Sequence, residues 1–447
     1  MRKLGEDPMH TADARAVATS PSRPYAVYVL LLLLAANTLS YADRHLFSML
    51  IPAMKTEFAI SDAVLGLIGG PAFIASYVLL SLPLARLADR GSKRGVLAGA
   101  VALWSAATAL CGAAASAVQL ALGRVLVGVG EAGGMPPSQS ILAEMFDERR
   151  RSSAMGVLAS GTYFGLLLGL TGGAAIAHLW GWRWAFYALA LPGLPLGLLI
   201  WATVPRARAA RAAVPDRQSM LAVMRACWKI RSFRLLALGM GLFNVFGYAG
   251  AIWMPAYFMR SHGLSMVEAG TWLGLGAAAG GIAGSLASGA IVDALRPRDE
   301  RWQLRVPGLA FLAAFPLFIV MLATPGGASL MLLGISIPVV ALIAVVTAFL
   351  SSLWAGPSFG AAALLVPPDR RAQAAAMLVI VINVMGSGFG PVVAGLVSDA
   401  LTARLGAEAL RYSLLSMSVL NLAGGALFLR AARHYPADLV LTHGRAK

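Results

Sequence analysis

Asp43, Arg44 and His45 follow one another inside an apolar run from Tyr25 to about Pro52, long enough to cross a bilayer. Ionised side chains at such depth are costly, and those that occur there face a partner or a watery cavity. A second pair, Arg124 and Glu131, stands in another apolar run, seven residues apart and therefore on one helix face. At the helical rise, Asp43 lies about 14 Å and Arg44 about 12 Å from the outer end of the first run. Arg124 lies about 10 Å and Glu131 about 20 Å from the outer end of its own. Asp43 and Arg124 are thus placed to pair, with Glu131 one step deeper.

Two chemistries are open to this set. Burial makes a carboxyl group hold its proton and a nearby arginine makes it release one. A pair that breaks as a cavity opens can therefore load a proton on one side of the membrane and release it on the other. The planar forks of Arg44 and Arg124 can also hold a phosphate or carboxylate. A static salt bridge that only fixes helix packing is the plain competitor. An unperturbed imidazole titrates near neutrality, and His45 suits a packing or outer-gate role as well as coupling.

The elements that must position these groups are membrane helices. The chain has 447 residues, 58% hydrophobic and 13% charged, with mean hydropathy +0.74, far from the composition of soluble domains. Twelve apolar runs are predicted, roughly 25–52, 62–87, 95–115, 118–146, 152–178, 184–204, 232–259, 266–294, 303–324, 329–366, 371–400 and 409–431. The tenth is too long for one straight span, and Pro338 and Pro357 predict a kinked or partly broken helix. The expected fold class is an all-α membrane protein.

The net charge of +16 does not point to nucleic acid, because the basic residues sit in short loops between apolar runs. Of the 36 lysines and arginines, 29 fall on the side of both termini and five on the other, with Arg44 and Arg124 inside spans. By the positive-inside rule both termini are cytoplasmic. No cleaved signal peptide is expected before Tyr25. Cys111 and Cys227 suggest neither a disulfide nor a metal site.

The organisation predicted is a cytoplasmic tail (1–24), a six-helix bundle (25–204), a linker (205–231), a second bundle (232–432) and a cytoplasmic C-terminal tail (433–447). Within the linker, Ser219–Ile230 has apolar and basic residues at helical spacing, as expected of an amphipathic helix on the membrane surface. The halves repeat. Asn37, Tyr41 and Ala42 match Asn244, Tyr248 and Ala249 at an offset of 207, and Ser61, Gly66 and Asp89 match Ser265, Gly270 and Asp293 at 204. A parallel six-plus-six repeat is the layout of transporters that rock two halves about a central site. Asp43 corresponds to Gly250, so the buried charge belongs to the first half alone.

The loop ARLADRGSKR, Ala85 to Arg94, resembles the signature loop of the major facilitator superfamily. With YADRHLF, RVLVGVGEAGG, FDERRRSSAMG and GWRWAFY, the chain resembles the spinster-like branch, the bacterial counterparts of sphingosine-1-phosphate and lysolipid transporters. The resemblance implies two pseudo-symmetric six-helix bundles. It also implies proton-coupled or facilitated movement of a lysophospholipid- or sphingosine-1-phosphate-like anion by alternating access. It makes Asp89, Arg90, Lys93 and Arg94 a conformational latch, Asp89 accepting from backbone N–H groups at a neighbouring helix N-terminus. It makes Asp43, Arg124 and Glu131 the proton-coupling network.

Depth on the spans that face the centre of this fold gives the expected substrate lining: Tyr41, Arg44, Arg124, Tyr163, Phe243, Asn244, Phe246, Tyr248, Trp354 and Asn383. The glycines of the fifth run, Gly161, Gly165, Gly169, Gly172 and Gly173, predict close packing and a hinge between halves, as do Gly386, Gly388 and Gly390 with Pro391 in the eleventh. An enzyme is not expected: the six histidines are scattered, and neither H-E-x-x-H nor G-x-S-x-G on a suitable turn appears. No cofactor or metal is called for. A channel or receptor fits the repeat and latch poorly. The competing transported class is a drug or small organic anion exchanged with protons. A monomer in a bacterial inner membrane, in contact with membrane lipids, completes the expectation.

Overall fold

The computed structural model describes residues 22–205, 220–332 and 334–444. Twelve helical passes form two six-helix bundles. The first half comprises Arg23–Phe58, Asp62–Arg90, Lys93–Gly112, the interrupted pair Ala117–Glu131 and Met135–Met145, then Ser153–Trp180 and Trp182–Thr203. The second comprises Arg231–His262, Met266–Leu295, Trp302–Ala323, Val339–Leu364, Arg371–Leu405 (with an internal π-turn) and Ala409–Gly444. The last helix continues through the residues expected to form a C-terminal tail.

The repeat seen in the sequence is carried into the packing. Ser61 and Ser265 cap the second and eighth passes through their side chains. Gly66 lies against the Pro391 carbonyl of the eleventh pass, and its counterpart Gly270 against the Leu170 carbonyl of the fifth. The fifth and eleventh passes each carry a π-helical turn, Leu168–Gly172 and Asn383–Ser387. Extra turns of this kind commonly accompany functional segments.

Two expectations need correction, the course of residues 329–338 and the partners of Asp89, and two others gain detail. The residues 329–338 do not kink a helix: Ser329–Leu332 and Ile335–Pro338 form an antiparallel hairpin, closed at Gly334 with φ 80°. Pro338 then caps Val339–Ser352, and the helix is interrupted at Leu353 and Trp354, just before Pro357. The fifth-pass glycines Gly161, Gly165, Gly169 and Gly173 pack closely, as their spacing predicts. They pack on Asn37, Tyr41, Ala42 and Leu46 of the first pass, within one bundle. The linker helix forms at Met220–Lys229, one face placing Cys227 and Met224 in the core of the second half while Arg225 and Lys229 stay exposed; residues 206–219 lie outside the described residues. Lastly, Asp89 is exposed and accepts no hydrogen bond within the described residues.

The helix end capped across the halves lies on the opposite side of the membrane. Asp399 of the eleventh pass accepts from the backbone N–H groups of Asp62 (3.0 Å) and Ala63 (2.8 Å), which open the second pass. Arg260 of the seventh pass grips the Asp62 carboxylate with both terminal nitrogens, at 2.7 and 2.9 Å. Lys55 at 2.6 Å and Ser398 at 2.8 Å complete its shell. The halves are therefore tied together on the side away from the termini.

Candidate functional site

The first helix turns about 100° per residue, so three adjacent polar residues must face three directions. Asp43 points into the first bundle, where Arg124 of the fourth pass donates to Oδ2 and Thr108 of the third donates to Oδ1 at 2.7 Å. Arg124 is also held between the rings of Phe47 and Phe73, 5.0 and 5.1 Å from their centroids. Both partners are enclosed: Asp43 is 2% and Arg124 1% exposed.

Arg44 turns to Glu131, with Nη2 at 2.5 Å and Nε at 2.7 Å from Oε2. Ser40, one turn earlier, donates to the same oxygen at 2.8 Å. Glu131 Oε1 is buried and has no hydrogen-bond partner. The rings of Tyr41, Phe73 and Tyr77 surround the guanidinium at 4.9, 4.8 and 5.2 Å. This pair forms one wall of a cavity of about 100 Å³ also lined by Asn37, Tyr41, Tyr77, Trp104 and Ser138. The Arg44 side chain remains 22% exposed whereas that of Glu131 is 0%. Arginine can reach a ligand; the carboxylate is sheltered behind it.

His45 takes the third direction and lines a second, larger cavity with Phe243 and Phe246 of the seventh pass. The remaining expected lining residues face neither cavity. Arg124 is consumed by Asp43. Tyr163 bridges the halves, donating to the Gly281 carbonyl at 3.1 Å and lying 2.6 Å from Ser285 Oγ. Asn244 donates to Met240 of its own helix. Tyr248 reaches Asn383 at 3.4 Å, and Trp354 packs against Phe243 and Phe359. Of the latch residues, Lys93 pairs with Glu144 and Arg94 donates to the Val204 carbonyl at 2.9 Å, both within the first half, while Arg90 is exposed. The GWRWAFY segment has a bracing role: Trp182 and Arg183 both bond Glu57 at the end of the first pass.

Ser40, Tyr77 and Trp104 were missed. Ser40 could have been found, since it stands one turn before Arg44 on the same face. Tyr77 and Trp104 carry no sequence signal beyond being aromatic in an apolar run.

Twelve passes with an internal six-helix repeat and a paired charge lattice at mid-depth match one large group. The profile of the Major Facilitator Superfamily matches residues 33–335. An MFS-type efflux pump of Mycolicibacterium smegmatis is 33% identical over 94% of this chain and 95% of its own length. The chain belongs to the Major Facilitator Superfamily. Within the superfamily it is spinster-like. Protein spinster homolog 1 of Homo sapiens is 28% identical, covering 95% of this chain and 83% of that protein. A crystal structure of a bacterial homolog to the human lysosomal transporter spinster, inward-facing and unoccupied, superposes with TM-score 0.82 at 26% identity, over 93% of this chain and 99% of that one. This superfamily member is a transporter and not an enzyme. In keeping with that, the one G-x-S-x-G string in the described residues, Gly356–Gly360, lies inside a helix with Ser358 fully buried.

Proposed function

We propose that this spinster-like transporter moves an amphiphilic anion across the membrane by alternating access coupled to protons, with Arg44 and Glu131 as the exchange point. The observation that carries the reading is the pairing of a cavity-facing arginine with a sheltered carboxylate whose second oxygen has no partner. A phosphate or carboxylate entering the cavity competes with Glu131 for the Arg44 fork. Once released, Glu131 is a buried charge without a counter-ion, a costly state that a proton on Oε1 removes. Anion binding at Arg44 and proton binding at Glu131 then favour each other. The Asp43–Arg124 pair backs this exchange, Asp43 adjoining Arg44 and Arg124 standing seven residues before Glu131, and shifts in it would tune the field at Glu131 and add a second proton site.

The ties around Asp62 and Asp399 close one side, while the latch residues Asp89, Arg90, Lys93 and Arg94 make no hydrogen bond or ion pair to the second half among the described residues. That combination supports an inward-facing resting form, with both termini and the basic loops in the cytoplasm. The superposition on an inward-facing relative supports the same reading. The bundles would divide at residues 205–231, each chain would work as a monomer, and the membrane would be a bacterial inner membrane.

The substrate class proposed is a lysophospholipid- or sphingosine-1-phosphate-like lipid. A sphingosine-1-phosphate transporter of Xenopus tropicalis, 27% identical over 52% of this chain and 45% of its own, supports that choice. The Mycolicibacterium efflux pump supports a second reading, a drug or small organic anion using the same charges. Flux of labelled lysophospholipid and sphingosine phosphate in proteoliposomes, with and without a pH gradient, separates them. Lipid flux that grows with the gradient supports the first; absence of lipid flux in folded protein leaves the second.

A further inference from the structure

A recess of about 460 Å³ lies at the end of the second half nearest the termini, and it shares no lining residue with either cavity described above. The linker helix, the end of the tenth pass and the last helix build it. Its apolar lining includes Ala226, Ile230, Leu365, Val366 and Leu441, and its charged residues are Lys229, Arg370 and Asp438. Asp438 is engaged at the start of the seventh pass, where it accepts from the Ser232 N–H at 2.8 Å and from its hydroxyl at 2.6 Å. The recess thus combines two cations, one committed acid and a long apolar wall.

Its surroundings suit a membrane surface better than water. On the last helix Val440 is 71% and Leu441 58% exposed, and Trp228, next to Lys229, is 36% exposed. Tryptophan favours the headgroup level of a bilayer, and lysine beside it can keep its stem on apolar surface while its charge reaches the phosphates. Arg225 and Arg231, before and after Trp228 on the same stretch, are exposed as well. Basic pockets between helix ends on the side of the positive loops take anionic lipid headgroups. A soluble phosphate ester could use the same cations, but it would leave Leu441 and its apolar neighbours uncovered.

We propose that this recess is a site for an anionic phospholipid of the surrounding membrane, its phosphate held by Lys229 and Arg370 and an acyl chain laid along Leu365, Val366 and Leu441. Because the linker helix and the second half share the recess, a lipid seated there fastens the linker to that half. The site is separate from the transport path, and it does not depend on which anion Arg44 receives.

The test places the full chain in phosphatidylcholine nanodiscs with a trace of phosphatidylglycerol or phosphatidylcholine bearing a diazirine on the acyl chain, and maps adducts by mass spectrometry. Phosphatidylglycerol adducts are expected on Leu365, Val366 or Leu441, at least about fivefold above those from phosphatidylcholine, and should fall about fivefold in Lys229→Gln, the worth of one basic residue beside an anionic headgroup. Lys229 is exposed, so this variant should fold. Arg298→Gln removes the same charge from an exposed residue outside the recess and should label as the unaltered protein does. Ala226→Trp fills the recess without changing net charge and should cut labelling about tenfold, as expected of steric exclusion. Glycerol phosphate in solution should not compete; labelling abolished by it would give the recess to a soluble phosphate ester and overturn the lipid assignment. Equal labelling by the two lipids, or equal loss in Lys229→Gln and Arg298→Gln, would also overturn it, leaving only the general attraction of a basic face.

Discussion

Arg44 of the first helix meets Glu131 of the fourth at 2.5 Å, while their neighbours Asp43 and Arg124 pair in the opposite sense. Each helix thus gives one acid and one base, and the two pairs differ in access. The pair containing Arg124 is sealed by Thr108 and two phenylalanine rings; the pair containing Arg44 borders a cavity. Only the pair containing Arg44 is open to a ligand in this conformation.

The sealed pair should show its role in stability. Asp43→Leu leaves Arg124 charged and unpartnered, with an expected loss of about 3–5 kcal/mol. Adding Arg124→Met should recover most of it, because an apolar pair of similar volume avoids the desolvation cost. Thermal unfolding of both variants in detergent checks this. Equal destabilisation of single and double variants would contradict it.

The tie at Asp62 should bias conformation. Arg260→Ala removes two hydrogen bonds to a carboxylate only 1% exposed. If this costs the closed side about 2 kcal/mol, a state populated at about 1% rises to about a fifth. Spin labels at Val64→Cys and Leu396→Cys, on either side of the tie, should then show a second, longer distance. The native cysteines Cys111 and Cys227 are buried and should label little.

Glycine spacing should separate by position. A Cβ at Gly169 would sit 2.4 Å from the Ala42 carbonyl, so Gly169→Ala must push the first and fifth helices apart, at about 1–3 kcal/mol. Gly156 has open space around its Cβ position, and Gly156→Ala should be neutral or stabilising by up to about 1 kcal/mol. Melting temperatures of the two variants give the comparison.

Arg44 should discriminate by charge geometry. Arg44→Lys keeps the positive charge but loses the fork, and should weaken a phosphate-bearing lysolipid about 5- to 20-fold while affecting a neutral analogue little. Competition binding with both ligands measures the difference.

Much of this was legible in the sequence because it rests on periodicity and on charges where charges are expensive. The twelve passes, the repeat linking Gly66 to Gly270, and the prominence of Asp43, Arg44, Arg124 and Glu131 all follow from those signals. Which acid takes which arginine was only half legible: equal depth suggested Asp43 with Arg124, but the rotation that turns Arg44 to Glu131 depends on how two helices face each other. The hairpin at 329–338 escaped because a short apolar run has no period to separate strand from helix. The capping of Asp62 and Ala63 by Asp399 escaped for another reason. It joins residues more than three hundred positions apart, and nothing local in either segment announces the other.

The central claim is that Glu131 carries the proton that Arg44 trades for substrate. The most direct test compares gradient-driven uptake with substrate counterflow of labelled lysophospholipid in proteoliposomes, for the unaltered protein and for Glu131→Gln. The exchange account predicts that the variant loses uptake driven by a pH gradient yet retains counterflow, since a neutral side chain mimics the protonated state. Gradient-driven uptake that persists in Glu131→Gln at unaltered rates would contradict it.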